Sequence, residues 1–127
     1  MKKVIALFAS VLLLAGCSSG SSAIDQSVSE FSSKVTEAGV ITLDVRTPGE
    51  FNEGHIEGAL LVDFESGNFE NEIAALDKTK TYAVYCRSGS RSGQAVNVMR
   101  EAGFTNIYNL NGGIIDWANA GMTLVNN

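Results

Sequence analysis

Apolar positions along this chain fall into two kinds of run that alternate. Nearly continuous apolar stretches occur at VITLDV (40–45), GALLVDF (58–64), TYAVYC (81–86) and NIYNL (106–110). Such short runs, several of them β-branched, predict strands buried on both faces. Between them apolar residues return at helical spacing: Val28, Phe31 and Val35; Phe69, Ile73 and Leu76; Ala95, Val98, Met99 and Ala102. A closing helix is predicted from Ile114 to Ala120. Start and stop signals agree with these limits. Ser27 and Glu30 have the form of a capping box, and Gly39 ends that helix. Thr47 and Pro48 supply a cap and a first helical residue for a short helix at TPGEF. Gly103 ends the helix over 91–102, and Gly112-Gly113 makes a turn before the last one. Strands alternating with helices predict an α/β domain whose mainly parallel sheet of four to five strands is flanked by helices on both faces.

The first residues follow a different pattern. Lys2 and Lys3 precede an apolar run from Val4 to Leu14, and small residues lead to Cys17. A charged start, a short apolar core and a small-residue cut site predict a secretory signal, too short for a stable membrane span. Leu14-Ala15-Gly16-Cys17 resembles the lipobox of bacterial lipoproteins. That resemblance implies cleavage after residue 16 and a lipid-bearing Cys17, with a protein held on the extracytoplasmic face of a cell envelope. Several acyl chains on one residue anchor far better than one. Residues 17–26 are then read as the lipidated cysteine and a tether, of which SSGSS (18–22) has nothing to pack, and residues 27–125 as the folded domain.

Without its first 16 residues the 127-residue chain keeps 111, one small domain with a single core. Losing Lys2 and Lys3 leaves seven basic residues against fourteen acidic ones, a balance of −7. That makes the domain a poor candidate for nucleic acid or for an anionic membrane surface, and makes clustered arginines informative. One His and one remaining Cys exclude a zinc site, and no cofactor motif is present.

With Cys17 lipidated, Cys86 is a lone thiol in an exported chain, exposed to oxidation and expected to be kept for reactivity. It ends the clearest strand, and Arg87-Ser88-Gly89-Ser90-Arg91 leads into a helix. Sites in open α/β sheets lie at the carboxyl ends of strands. Helix N-terminal amides favour an anion there, and two arginines act in the same sense, so the Cys86 thiolate is expected to be stabilised. Ser88, Gly89 and Ser90 are small enough for the backbone to curl around a group carried on the sulfur.

Three segments together resemble the single-domain rhodanese-like sulfurtransferases: LDVRTPGEFNEGHIEGA (43–59), YCRSGSRSGQAVNVMREAGF (85–104) and NLNGGIIDWANAGM (109–122). The resemblance implies a Cys86 nucleophile that takes a sulfane sulfur from a small anion such as thiosulfate and passes it, as a persulfide, to a thiophilic acceptor. It implies no metal or organic cofactor. Leu61 replaces an Asn common in the family, and Thr123 a Pro.

Arg91, a cation where the helix dipole disfavours one, is read as attracting the anionic donor. Arg87 is left between that role and solvent. Asp44 and Arg46 end a strand on the site side and are read mainly as a supporting pair; His55 and Trp117 are read as structural. A cysteine phosphatase or arsenate reductase of the same fold would resemble Cys-x5-Arg, whereas Cys86 to Arg91 is Cys-x4-Arg, a tighter cradle. A non-catalytic envelope binding module would lack the cysteine. Thiol–disulfide exchange would want Cys-x-x-Cys, which is absent.

Overall fold

The computed structural model describes residues 24–127. The signal segment 1–16 and Cys17 lie outside the described residues. The chain runs β1 (Ile24–Gln26), α1 (Val28–Lys34), β2 (Val40–Asp44), α2 (Pro48–Glu53), β3 (Leu60–Leu61), α3 (Phe69–Ala74), β4 (Thr81–Tyr85), α4 (Ser90–Glu101), β5 (Asn106–Leu110) and α5 (Gly113–Asn119). All strand pairs are parallel, in the order β1-β5-β4-β2-β3. This is the expected α/β architecture, with five strands.

Helix starts follow the local chemistry. Ser27 and Glu30 close a capping box on α1, and Thr47 and Glu50 close another on α2, where Pro48 opens the helix. The central strand β4 sorts its side chains by parity. Tyr82, Val84 and then Cys86 join a core with Phe69 and Ile73 of α3 and Ala95, Val96 and Met99 of α4. Ala83 and Tyr85 join the opposite core with Phe31 of α1 and Ile114 and Trp117 of α5. The nucleophile candidate therefore lies on the α4 side of the sheet.

Two strand limits differ from the sequence reading. The tether was drawn to residue 26, but Ile24–Gln26 pair with Tyr108, Asn109 and Leu110 as an edge strand. Three residues with Ile24 exposed carry no periodic signal; the pairing depends on β5, more than eighty positions away. The strand expected at 58–64 shrinks to Leu60–Leu61. Beyond it the chain still hydrogen-bonds to the end of β2, Val62 N to Asp44 O and Phe64 N to Val45 O. Leu60 is exposed at this edge. Leu61 thus sits in β3. Thr123 offers its carbonyl to Trp117 Nε1 at 3.1 Å, tying the chain after α5 back onto that helix.

Candidate active site

Cys86 follows the last residue of β4 and is buried, with 1% of its surface exposed. The loop after it carries exposed Arg87, Ser88 and Ser90 and half-buried Gly89. The Gly89 amide donates to the Cys86 sulfur at 3.0 Å. Gly89 has a φ of 104°, a conformation its lack of a side chain permits, and this turn closes the loop into α4.

The carbonyls of the loop point elsewhere. Ile114 N donates to Cys86 O at 2.9 Å, and Ile115 N to Arg87 O at 3.2 Å. Gly89 O accepts from Gly93 N and from the Ser92 hydroxyl. In trans peptides each N–H lies opposite its C=O, and no cis bond occurs. The amides of Arg87 and Ser88 are therefore turned away from α5, and that of Ser90 away from the body of α4. Among the described residues the amides of Arg87, Ser88, Ser90 and Arg91 find no acceptor. The result is a set of unfilled donors around a thiol, suited to an anion carried on sulfur.

The approach of α5 depends on Gly113. A Cβ there would run into the carbonyl group of Arg87 and come within 2.7 Å of Cys86 O, and its φ is +62°. The Gly112-Gly113 turn at the start of α5 thus also lets the helix hold the carbonyls of the loop.

Arg91 reaches the site but its fork is engaged. Nη1 and Nη2 donate to Glu50 Oε1 and Oε2 at 2.7 and 2.8 Å, and Glu65 stands 3.8 Å from Nη1. Hydrogen bonding from Arg91 holds the Glu50 carboxyl down at about 2, below its usual 4.5. The same pairing raises the guanidinium. Arg91 thus bolts the start of α4 to α2, and Arg87 is the loop arginine without an ion-pair partner among the described residues.

Asp44 and Arg46 do form a buried pair, 0% and 4% exposed. Arg46 Nη2 donates to Asp44 Oδ2 at 2.6 Å and to Gly54 O at 2.8 Å. The Tyr85 hydroxyl donates to Asp44 Oδ2 at 2.7 Å and accepts from Ile56 N. Burial first, then the Asp44 charge, pushes the Tyr85 phenol up, so it stays a donor. His55 is buried, stacked on Phe51 with its Nδ1 2.9 Å from Phe51 O, and its backbone pairs with Val125. It is structural. A cleft of about 280 Å³ opens beside the loop, with Arg87, Ile115 and Leu124 among its walls. A hollow of about 400 Å³ between α3 and Val98 contains no nucleophile. No group of three or more potential metal ligands occurs among the described residues.

Sequence reasoning missed Glu50, Tyr85 and Gly113 as parts of the site. The capping-box spacing of Thr47 and Glu50 was visible; the pairings of Glu50 with Arg91 and of Asp44 with Tyr85, each across 41 positions, were not.

The described residues form a parallel α/β sheet with one cysteine just beyond the end of its central strand, at the edge where sites in such sheets lie. Residues 27–120 match the Rhodanese-like domain family, and the chain belongs to that family. It is 36% identical over 86 residues to a sulfurtransferase of Allochromatium vinosum, covering 68% of this chain and 78% of that protein. To the thiosulfate sulfurtransferase GlpE of Shewanella oneidensis it is 35% identical over 88 residues, covering 68% and 85%. A probable adenylyltransferase/sulfurtransferase, MoeZ of Mycobacterium tuberculosis, is 38% identical over 76 residues, but the match spans 60% of this chain and only 19% of that longer protein. Among solved structures, a rhodanese-related protein from Thermoplasma volcanium superposes with a TM-score of 0.73 at 26% identity, covering 82% of this chain and 99% of that one.

Two outcomes follow from this geometry. Gly113→Ala should lower stability by about 1–2 kcal/mol, from the positive φ, and should displace the loop as well. Urea unfolding and thiol alkylation rates should both change; an unaltered alkylation rate would show that α5 does not set the loop. The second concerns acid. Glu50 has a lowered folded-state value, so the stability it contributes is complete above about pH 5 and is lost as pH falls toward 2. Glu50→Gln should cost at most about 3 kcal/mol at neutral pH, less the solvent screening of a partly exposed pair. The gap between variant and parent should close on acidification, as measured by urea midpoints.

Proposed function

We propose that the domain transfers sulfane sulfur from an anionic donor such as thiosulfate to a thiophilic acceptor through a persulfide on Cys86. The observation that carries this is a cysteine sulfur bonded by Gly89 N, in a loop whose remaining amides have no acceptor. The Cys86 thiolate attacks the outer sulfur of the donor; a new S–S bond forms, and sulfite leaves with the electron pair of the old one. Gly89 and the amides of Arg87, Ser88, Ser90 and Arg91 steady the negative outer sulfur. A second nucleophile, cyanide or a thiolate, then attacks that sulfur, and Cys86 departs as thiolate. Arg87 draws in the donor, while Arg91 with Glu50 holds the loop in shape. The relatives named as thiosulfate sulfurtransferases support the reading.

The cysteine phosphatase alternative is less favoured on two grounds. The loop is one residue tighter than Cys-x5-Arg, and the Arg91 fork, which a phosphate would need, is spent on Glu50. A non-catalytic envelope module would have no use for the cysteine.

The proposal includes location. Cys17 is the lipid-bearing first residue after removal of residues 1–16, and the domain is held on the extracytoplasmic face of an envelope membrane. Leu14-Ala15-Gly16-Cys17 supports this. Among the described residues no helix is long and apolar enough to cross a membrane.

Thiosulfate should leave the protein heavier by one sulfur atom; cyanide should remove that mass and release thiocyanate, and Cys86→Ser should never gain it. Arg87→Ala should raise the KM for thiosulfate several-fold with a smaller change in kcat. Turnover of para-nitrophenyl phosphate by the unaltered chain, with no persulfide from any sulfane donor, would overturn the assignment. Separately, Cys17→Ala should abolish partition into detergent; a variant that still partitions like the parent would remove the lipid anchor from this reading.

A further inference from the structure

The cleft of about 280 Å³ borders the Cys86 loop at both of its ends. Arg87, next to the nucleophile, is part of its wall, and so is Glu50, which holds Arg91 at the far end of the loop. The remaining walls are fixed by hydrogen bonds. Ile114 and Ile115 are tied by their amides to the carbonyls of Cys86 and Arg87. Leu124 lies over Gly54, and the segment that carries it is pinned by two backbone hydrogen bonds between His55 and Val125, at 2.7 and 2.8 Å. Ile115 and Leu124 are nevertheless 40% and 37% exposed, apolar surface left uncovered beside the loop.

Four charged side chains line this cleft, and two of them are spent. Arg46 is bound to Asp44 and to Gly54 O, and Glu50 to Arg91. Arg87 and Glu53 remain, and neither has an ion-pair partner among the described residues, each other included. The cleft therefore offers one free cation, one free anion and an apolar wall. An occupant that matches all three carries a carboxylate for Arg87, an ammonium for Glu53 and a short apolar stem. An acceptor with two carboxylates would meet Glu53 as a like charge, and one with only an ammonium would meet Arg87 so. Size is limited too, since the cleft falls just under the range of about 300–1,000 Å³ that holds drug-sized ligands.

We propose that the acceptor of the persulfide sulfur is a small zwitterionic thiol of the amino-acid kind, held with its carboxylate on Arg87 and its ammonium on Glu53. This rests on the Cys86 persulfide reading and names the partner of that same site. The acceptor thiol gives its proton to water, and its thiolate attacks the outer sulfur. A new S–S bond forms, the bond to Cys86 breaks, and Cys86 leaves as thiolate. The product is the acceptor's own persulfide, with no oxidant or reductant consumed. Arg87 serves both partners in turn, because sulfite departs before the acceptor binds.

The test loads the full-length chain with sulfur from thiosulfate and follows, by intact mass at low salt, the loss of that sulfur to four thiols. L-cysteine carries both charges, 3-mercaptopropionate the carboxylate alone, cysteamine the ammonium alone and 2-mercaptoethanol neither. Each rate is divided by that of the same thiol with an uncharged small disulfide, which cancels differences in thiolate fraction and nucleophilicity. On this scale L-cysteine should discharge the persulfide about two- to fivefold faster than either single-charge thiol, the range of one exposed charge pair. Glu53→Gln should bring L-cysteine down to 3-mercaptopropionate, and Glu53→Lys should put mercaptosuccinate, a dicarboxylate, ahead of L-cysteine. Each ratio is taken within one loaded protein, so a general loss of folding or loading does not imitate it. Equal rates for all four thiols, or ratios that the two Glu53 variants leave unmoved, would overturn the acceptor assignment while the persulfide stands. A chain that gains no sulfur from thiosulfate or any other sulfane donor would overturn the persulfide reading and the acceptor with it.

Discussion

The catalytic edge depends on what receives the carbonyls of Cys86 and Arg87. A strand that ends in a loop leaves peptide groups free to point either way, and a loop with its carbonyls turned inward would repel any anion on the sulfur. Ile114 and Ile115, at the start of α5, accept that burden by donating their amides to the two carbonyls. Peptide planarity then sends the N–H groups of Arg87 and Ser88 the other way. The anion seat is thus a by-product of how the last helix docks, and Gly113 is the residue that lets it dock so closely. It is built from backbone groups, so the acidic balance of the domain does not stand against the anionic donor proposed above.

Charged side chains serve instead as braces between elements. Glu50 completes the capping box of α2 and at the same time grips Arg91 at the start of α4. One carboxylate therefore fixes both a helix start and the far rim of the loop. On the other side of the sheet edge, Asp44, Arg46 and Tyr85 form a buried, fully hydrogen-bonded group that extends to Gly54 O and Ile56 N. It secures the connection after α2, where His55 stacks on Phe51 and pairs with the C-terminal segment. Such groups stabilise only when every member is satisfied, and here they are. Both braces leave Arg87 as the loop arginine without an ion-pair partner among the described residues.

Membership of the rhodanese-like family agrees with this division of labour. In the sulfur transfer proposed above the thiol and the amides supply the chemistry, and the surrounding ion pairs hold the geometry. The cleft beside the loop sets Arg87 near apolar Ile115 and Leu124.

Much of this was legible in the chain. Parity along TYAVYC, the capping residues at Ser27 and Thr47, and the small loop after Cys86 are local matters, settled by neighbours within a turn of chain. They determined the alternation of elements, the place of Cys86 at the end of its strand and the helix that begins at its loop. The edge strand Ile24–Gln26, the shortening of β3, the pairing of Glu50 with Arg91 and the second task of Gly113 were decided only by tertiary contacts. Each depends on a partner brought alongside by the sheet from dozens of positions away, and a residue such as Arg91 has the same local signature whether its guanidinium meets a ligand or a carboxylate. Sequence spacing reports the direction in which a side chain leaves the backbone; the sheet order decides what waits there.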